Sequence, residues 1–248
     1  MVIQAISIIP ARMASTRLPG KPLATIAGAP MIVHVLRAAE RAETGPVYVA
    51  CAEQEIADAV AAQGGNAVLT CPDHPSGTDR IAEALEKIDP DHHYDVVVNV
   101  QGDLPTMSPQ IIQDVLRPLV NPEMDMATLV APIESAEELH NPNVVKAVVS
   151  FDEKRDTGRA LYFTRAPAPS GEGPHWHHIG IYAYRRETLR RFTALPASPL
   201  EQQERLEQLR ALEAGMVIGV AISHTVPFGV DTPEDLEKAR KLLGEYDE

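Results

Sequence analysis

The sequence predicts an α/β fold: a mainly parallel sheet flanked by helices, with an inserted, mainly antiparallel lobe. Three observations carry this reading. Short β-branched runs alternate with amphipathic helical periodicities four times within the first ~120 residues, which implies right-handed βαβ crossovers. The clearest of those runs are apolar throughout rather than alternating, as expected of strands buried on both faces. Beyond residue 125 the strand-like runs follow one another without helices of comparable length between them, which favours antiparallel pairing.

The elements follow in order. Residues 3–9 form the first strand, and Ile32, Val35, Leu36, Ala39 and Ala42 then recur at helical spacing. Residues 47–51 are a second strand, followed by a helix carrying Ile56 and Val60; 67–70 are a third, before a helix with Ile81, Leu85 and Ile88 on one face. Segment 95–100 (DVVVNV) is the central strand, with Ile111, Val115, Leu116 and Leu119 marking the helix after it. Segments 126–131, 144–151, 159–164 and 179–184 read as strands, and PAPSGEGPHWHH (167–178) as a mobile loop. Residues 199–214 read as one helix and 216–222 as a strand. Thr232, Pro233, Glu234 and Asp235 open the last helix with an N-cap, a proline at the first helical position and an acidic first turn. No linker or repeat divides the chain. We therefore read one domain, with an N-terminal α/β part to about residue 125, a lobe over 126–215 and a C-terminal segment over 216–248.

Composition narrows the partners. Against 22 Lys+Arg stand 35 Asp+Glu, a net charge of −13, which disfavours a broad grip on nucleic acid or an anionic membrane. No apolar run reaches the ~18 residues that span a bilayer, and the N-terminus lacks the basic start of a signal peptide. Cys51 and Cys71 have neither CxxC spacing nor the number of a disulfide framework, so they read as reduced thiols of a cytoplasmic protein.

The connection after the first strand, PARMASTRLPGKPLATIAGAP, runs to about 20 residues where a βα loop takes 2–6. It presents Arg12, Arg17 and Lys21 at the carboxyl end of a parallel strand, where open α/β sheets bind ligands. It matches neither GxxxxGK[ST] nor GxGxxG. Three cations there suit a polyphosphate or a carboxylated sugar; a solvated surface loop is the alternative. Asp103, in QGDLP at the exit of the DVVVNV strand, is placed to hold Mg²⁺ or to act as a turn residue bonded to its own backbone. Asp231 leaves a strand-like segment just before a capped helix, a second candidate metal acid or simply a dipole-favoured one. In HPSGTDR (74–80), Ser76 or Thr78 can cap the helix. Arg80 on its first turn opposes the dipole unless a phosphate or buried acid is near. His175, His177 and His178 match no zinc spacing, and His178 reads as a polar group facing a pocket.

Taken together, IIPARMASTRLPGKPL, HPSGTDR, VVNVQGDLP, NPNVVKAV, ALYFTRAP, HIGIYAY, SPLEQQERLEQLR and VDTPEDLEKAR resemble the 3-deoxy-manno-octulosonate cytidylyltransferases (CMP-Kdo synthetases) from about residue 3 to 243. The resemblance implies a nucleotide-diphospho-sugar transferase-like (Rossmann-like) fold. It implies transfer of CMP from CTP to the sugar acid Kdo with release of pyrophosphate for lipopolysaccharide synthesis, by a Mg²⁺-dependent cytoplasmic homodimer. On that pattern Arg12, Arg17 and Lys21 hold the CTP phosphates, and Gln101, Ser76 and Arg80 lie near the nucleotide. Asp103 and Asp231 match the Mg²⁺ carboxylates, and Arg165, His178, Tyr182, Glu207 and Gln208 match the region around the sugar. Lys21, Arg17 and Asp103 are the residues expected to act in catalysis. Departures are Leu104 where the family commonly has Glu, a short segment 169–175, and extra charge in VSFDEKRDTGRALYF. The first two leave other acidic sugars, an amino-substituted Kdo or a sialic acid, as alternative acceptors; a nucleotide-binding protein without catalysis is the alternative of another class.

Overall fold

The computed structural model describes residues 3–15, 17–153 and 156–244. They form two compact units, one of residues up to Ile112 together with those from Pro227, the other Gln113–Val226. The division falls near residue 113 rather than 126, and the C-terminal helix joins the N-terminal unit rather than standing apart.

The first unit begins with β1 (Ala5–Ala11), then a small hairpin of β2 (Thr25–Ile26) and β3 (Ala29–Pro30), and α1 (Met31–Glu40). It continues through β4 (Val47–Cys51), α2 (Gln54–Ala61), β5 (Asn66–Leu69), α3 (Gly77–Ile88) and β6 (Val96–Asn99). Its strands lie in the order β5-β4-β1-β6, all parallel, with Ile8 of β1 opposite Tyr48 on one side and Asn99 on the other. Ile6, Ile8 and Ile9 are wholly buried, as the unbroken apolar run requires of a strand covered on both faces.

α4 (Gln110–Leu116) leads into the second unit, which holds β7 (Met126–Pro132), α5 (Ala136–His140), β8 (Lys146–Phe151) and β9 (Thr157–Thr164). After these come β10 (Trp176–Arg185), α6 (Arg186–Thr193), α7 (Pro199–Glu204), α8 (Leu209–Glu213) and β11 (Ile218–Ile222). The strand order is β10-β7-β11-β9-β8, and β8 pairs back onto Trp176 and His177 of β10. Apart from the parallel β7–β11 pair, these ladders are antiparallel, as expected of the lobe.

Three local readings are corrected. Residues 176–178 are strand rather than loop: the His178 N–H donates to Val145 O at 2.8 Å and the Trp176 ring packs on Phe151. Residues 199–214 form two helices, because Arg205 takes a left-handed conformation (φ 57°) after a capping box of Ser198 and Glu201. The helices α5 and α6 were not anticipated: α5 has five residues and no buried side chain, and α6 has eight, of which only Thr188, Leu189 and Phe192 are buried, too short a stretch for its periodicity to stand out. Within the charged segment 151–159, Lys154 and Arg155 lie outside the described residues. The chain closes with α9 (Pro233–Gly244) in the first unit.

Candidate active site

A cleft of about 410 Å³ opens beside the carboxyl ends of β1 and β6, and Arg12, Arg17 and Lys21 line it together with Ser76, Arg80, Gln101 and Asp103. The long loop reaches it because the loop is folded. Ile26 and Met31 are wholly buried in a cluster with Val230, Leu236 and Ala239, against which Leu18, Ala24 and Phe228 pack. The Arg240 side chain donates to Thr25 O, and the Met13 N–H donates to the Glu53 carboxylate. Gly20 takes a left-handed φ of 71° that few other residues adopt, and it starts the 3-10 turn Lys21–Leu23 that aims Lys21 inward.

The two acids meet through backbone contact. The Val230 N–H donates to Asp103 O at 2.9 Å, pinning the segment before α9 to the turn after β6. Gly102 permits that turn: a Cβ there would lie 2.9 Å from Pro10 O. Asp231 is oriented from the other side by the cap of α9, where the Asp235 carboxylate accepts from the N–H groups of Asp231 and Thr232. Burial pushes the Asp235 carboxyl up, but these bonds and that from the Thr232 hydroxyl outweigh it and hold the pKa below its ordinary value. As a result Lys21 Nζ lies 2.8 Å from Asp103 Oδ2 and 3.0 Å from Asp231 Oδ1, while Arg17 reaches Asp231 Oδ2 at 3.0 Å.

Elsewhere in the lining, Ser76 caps α3, accepting from the Asp79 N–H and donating to the Asp79 carboxylate. Arg80 resolves its unfavourable place on the first turn without an acid in direct contact. Its guanidinium, in a side chain only 2% exposed, donates to Thr70 Oγ1 and to the carbonyls of Cys71 and Pro72. Burial pushes its pKa down. Gln101 is turned by a bond from Nε2 to Asn99 Oδ1.

His74 was quoted in the sequence motif without a role, yet it lines the cleft. Its Nε2 is bonded to the Glu83 carboxylate, which also accepts from Lys87 and the Cys71 N–H. Burial works against charge on Glu83, but those three partners prevail and hold it ionised, with a pKa of about 2. The signal was an acid and a lysine four apart on one face of α3, Glu83 and Lys87, behind the histidine.

The residues matched to the sugar region lie in the second unit. His178 is buried, and its Nε2 meets Thr128 Oγ1 at 3.0 Å. The single Thr128 hydroxyl proton has the carbonyls of Ile179 and Ile181 as acceptors; when it points to them, His178 Nε2 is the donor to Oγ1 and Nδ1 is left as the acceptor. Burial, and then His177, push the His178 pKa down to about 3. Tyr182 lies across an irregularity in the β10–β7 ladder, its ring 5.5 Å from that of His178. Burial, Tyr184 and Glu207 push its pKa well above the ordinary value. Gln208 is 6% exposed, and its Nε2 has no hydrogen-bond partner among the described residues. Arg165 donates to the carbonyls of Glu204, Pro142 and Arg205. Lys146, coupled in charge to Arg165, was not singled out from the sequence. It is wholly buried, bonded to the carbonyls of Asn141 and Val144, with its pKa lowered by burial and by Arg165.

The family model described as Cytidylyltransferase matches residues 6–218. A 3-deoxy-manno-octulosonate cytidylyltransferase of Paramagnetospirillum magneticum is 61% identical over 96% of this chain and 97% of its own. One of Bradyrhizobium sp. (strain ORS 278) is 65% identical over 95% and 96%. The chain belongs to the 3-deoxy-manno-octulosonate cytidylyltransferase family. A solved CMP:2-keto-3-deoxy-manno-octonic acid synthetase complexed with CTP superposes with a TM-score of 0.90 at 40% identity, covering 98% of this chain and 99% of that one. A cytidylyltransferase from Leptospira borgpetersenii shares the fold alone, at a TM-score of 0.63 and 16% identity. The α/β reading is thereby borne out as the nucleotide-diphospho-sugar transferase fold of this family.

Proposed function

We propose that the chain transfers CMP from CTP to Kdo, releasing pyrophosphate and forming CMP-Kdo for lipopolysaccharide synthesis. The observation that carries this reading is the convergence of three cations and Asp103 on one cleft, with Asp231 paired to Lys21 and Arg17 of its lining, in a member of this family. The cleft takes CTP with its triphosphate toward Arg12, Arg17 and Lys21 and its nucleoside toward Ser76, Arg80 and Gln101. Transfer is an in-line displacement. The anomeric hydroxyl oxygen of Kdo bonds to the α-phosphorus, the bond from that phosphorus to the oxygen bridging to the β-phosphorus breaks, and its electron pair leaves with pyrophosphate. The hydroxyl proton passes to solvent. Two anions must be aligned and their charge offset, which is positioning and electrostatics rather than covalent catalysis. Lys21 and Arg17 stabilise the charge that grows on the leaving group.

Asp103 and Asp231 would hold Mg²⁺. They fit that ion: both are hard oxygen donors, and their oxygens already share one cation, the Lys21 ammonium, at 2.8 and 3.0 Å. Among the described residues no group of three or more His, Cys, Asp or Glu could hold a metal, so phosphate and water complete the set, as is usual for Mg²⁺. When bound, the ion supplies Lewis-acid polarisation and charge neutralisation at the phosphates.

Kdo is held by the second unit. Arg165 spends three of its five N–H donors on carbonyls, leaving two for the sugar carboxylate. The unpartnered Gln208 Nε2 and the His178 Nδ1 acceptor suit sugar hydroxyls, with Tyr182 and Glu207 beside them. A homodimeric state follows the family resemblance. Cytoplasmic location follows it too, and two free thiols suit a reducing compartment. No helix among the described residues is long and apolar enough to cross a membrane. The test is pyrophosphate release by purified protein with CTP, Mg²⁺ and a panel of acidic sugars. Release with Kdo above the others is expected, and its absence with Kdo overturns the assignment.

A further inference from the structure

Lys21 Nζ sits between the very oxygens that a divalent ion would require. A magnesium-sized ion binds carboxylate oxygen at about 2.1 Å, whereas Nζ lies 2.8 Å from Asp103 Oδ2 and 3.0 Å from Asp231 Oδ1, so the two would occupy overlapping space. The second oxygen of Asp231 is taken as well, by Arg17 at 3.0 Å. The cluster is thus already neutral: two carboxylates face one ammonium and one guanidinium. An ion entering alongside them would place two positive charges against a third at contact distance, with the Lys21 side chain only 14% exposed to water that could screen it.

Lys21 has an exit. Its 3-10 turn is anchored, but its stem ends in the cleft, where a nucleoside triphosphate would present several negative charges to Nζ and to Arg17. We propose that Lys21 and a divalent cation compete for Asp103 and Asp231. Nucleotide phosphate decides the competition by drawing Lys21 and Arg17 off the acids, so the ion loads with the nucleotide rather than before it. Charge balances through the exchange: the two cations pass from carboxylate to phosphate, and the acids pass to the metal. Lys21 then has two duties, keeping the acids paired in the absence of nucleotide and binding phosphate in its presence. By linkage, metal and nucleotide each strengthen the other's binding.

The proposal rests on the reading of Asp103 and Asp231 as the metal acids, and its test separates the two. Mn²⁺ binding to the full chain without nucleotide is measured by electron paramagnetic resonance and calorimetry for wild type, Lys21→Met, Lys21→Arg and the double variant Lys21→Met/Asp103→Asn. Thermal melting is followed with and without Mn²⁺. Lys21→Met should bind Mn²⁺ at least tenfold more tightly than wild type and should melt higher when Mn²⁺ is added. Lys21→Arg, which keeps the charge, should show no such gain, and Asp103→Asn should abolish the gain of Lys21→Met. Should Lys21→Met not fold, Lys21→Gln replaces it with the same expectation. Mn²⁺ affinity equal to or below that of wild type in the folded neutral variant overturns the proposal. A wild-type chain that nonetheless releases pyrophosphate from CTP and Kdo leaves the proposed function standing; one that does not removes that function first.

Discussion

Asp103→Asn separates what the acid does for the fold from what it does for the reaction. Asn keeps the shape of the side chain and the backbone carbonyl that accepts from Val230, and it removes only the charge. The structural loss is the 2.8 Å pair with Lys21, in which the Asp103 side chain is 32% exposed; Lys21 retains Asp231 at 3.0 Å. A partly exposed ion pair of this kind contributes about 0–1 kcal/mol, so the melting temperature should fall by no more than about 4 °C. Catalysis should respond on another scale. Loss of one preorganised charge at the reacting phosphate typically removes about 2.7–4 kcal/mol of transition-state stabilisation, or a turnover loss of at least about a hundredfold. Pyrophosphate release at saturating CTP, Kdo and Mg²⁺, beside a thermal melt, reads both. Turnover within tenfold of wild type would remove Asp103 from the reacting centre, and a melting loss well beyond 4 °C would show that the acid is mainly structural.

Other expectations are independent of that one. Arg80→Met deletes the guanidinium bonds to Thr70, Cys71 and Pro72. With the exposed Cys71 and Pro72 segment open to water, the cost should be about 2–4 kcal/mol, seen as a melting loss of about 5–15 °C; a change under about 2 °C would refute it. His178 makes stability fall with acid: its folded pKa of about 3 lies below the ordinary 6.5, so between those values the unfolded chain binds a proton that the folded chain does not. The unfolding free energy from urea titrations should therefore decline by up to about 1.4 kcal/mol per pH unit below pH ~6.5, and His178→Gln should flatten that slope. Gly102→Ala drives a Cβ to 2.9 Å from Pro10 O and should cost about 1–3 kcal/mol while lowering turnover through displacement of Asp103. Gln208→Met removes a buried amide whose Nε2 has no partner among the described residues, so stability should hold or rise by about 1 kcal/mol. The KM for Kdo should meanwhile rise at least tenfold, and an unchanged KM would take Gln208 out of the sugar site.

The strands were legible wherever burial on both faces forces an unbroken apolar run: segment 47–51 coincides with β4, and 95–100 contains β6. The cap of α9 was equally plain and that of α3 was narrowed to Ser76 or Thr78, because Ser76 and Thr232 act on N–H groups within three residues of themselves. Signals became faint where the deciding partner was distant. The break in 199–214 depends on a left-handed Arg205, and nothing in the alternation of leucines and charges announces it. Arg80 looked like an anion seeker because a cation on the first turn of a helix opposes its dipole. Its partners are a threonine hydroxyl ten residues away and carbonyls eight and nine residues away, brought to it by the turn after β5.

What the sequence determined by itself is the chemistry available: an acidic chain whose Arg12, Arg17 and Lys21 lie within ten residues, with carboxylates waiting at the ends of two strand-like segments. What only the tertiary structure decided is that these are one cluster. Lys21 and Asp231 are 210 residues apart, and they meet because Ile26, Met31, Val230 and Leu236 bury one another, while a single backbone bond ties Val230 to Asp103. Periodicity and local propensity encode contacts of a few residues' reach. A charge pair between loops from opposite ends of the chain is set by which apolar side chains share a core, and that selection is made only when the chain folds.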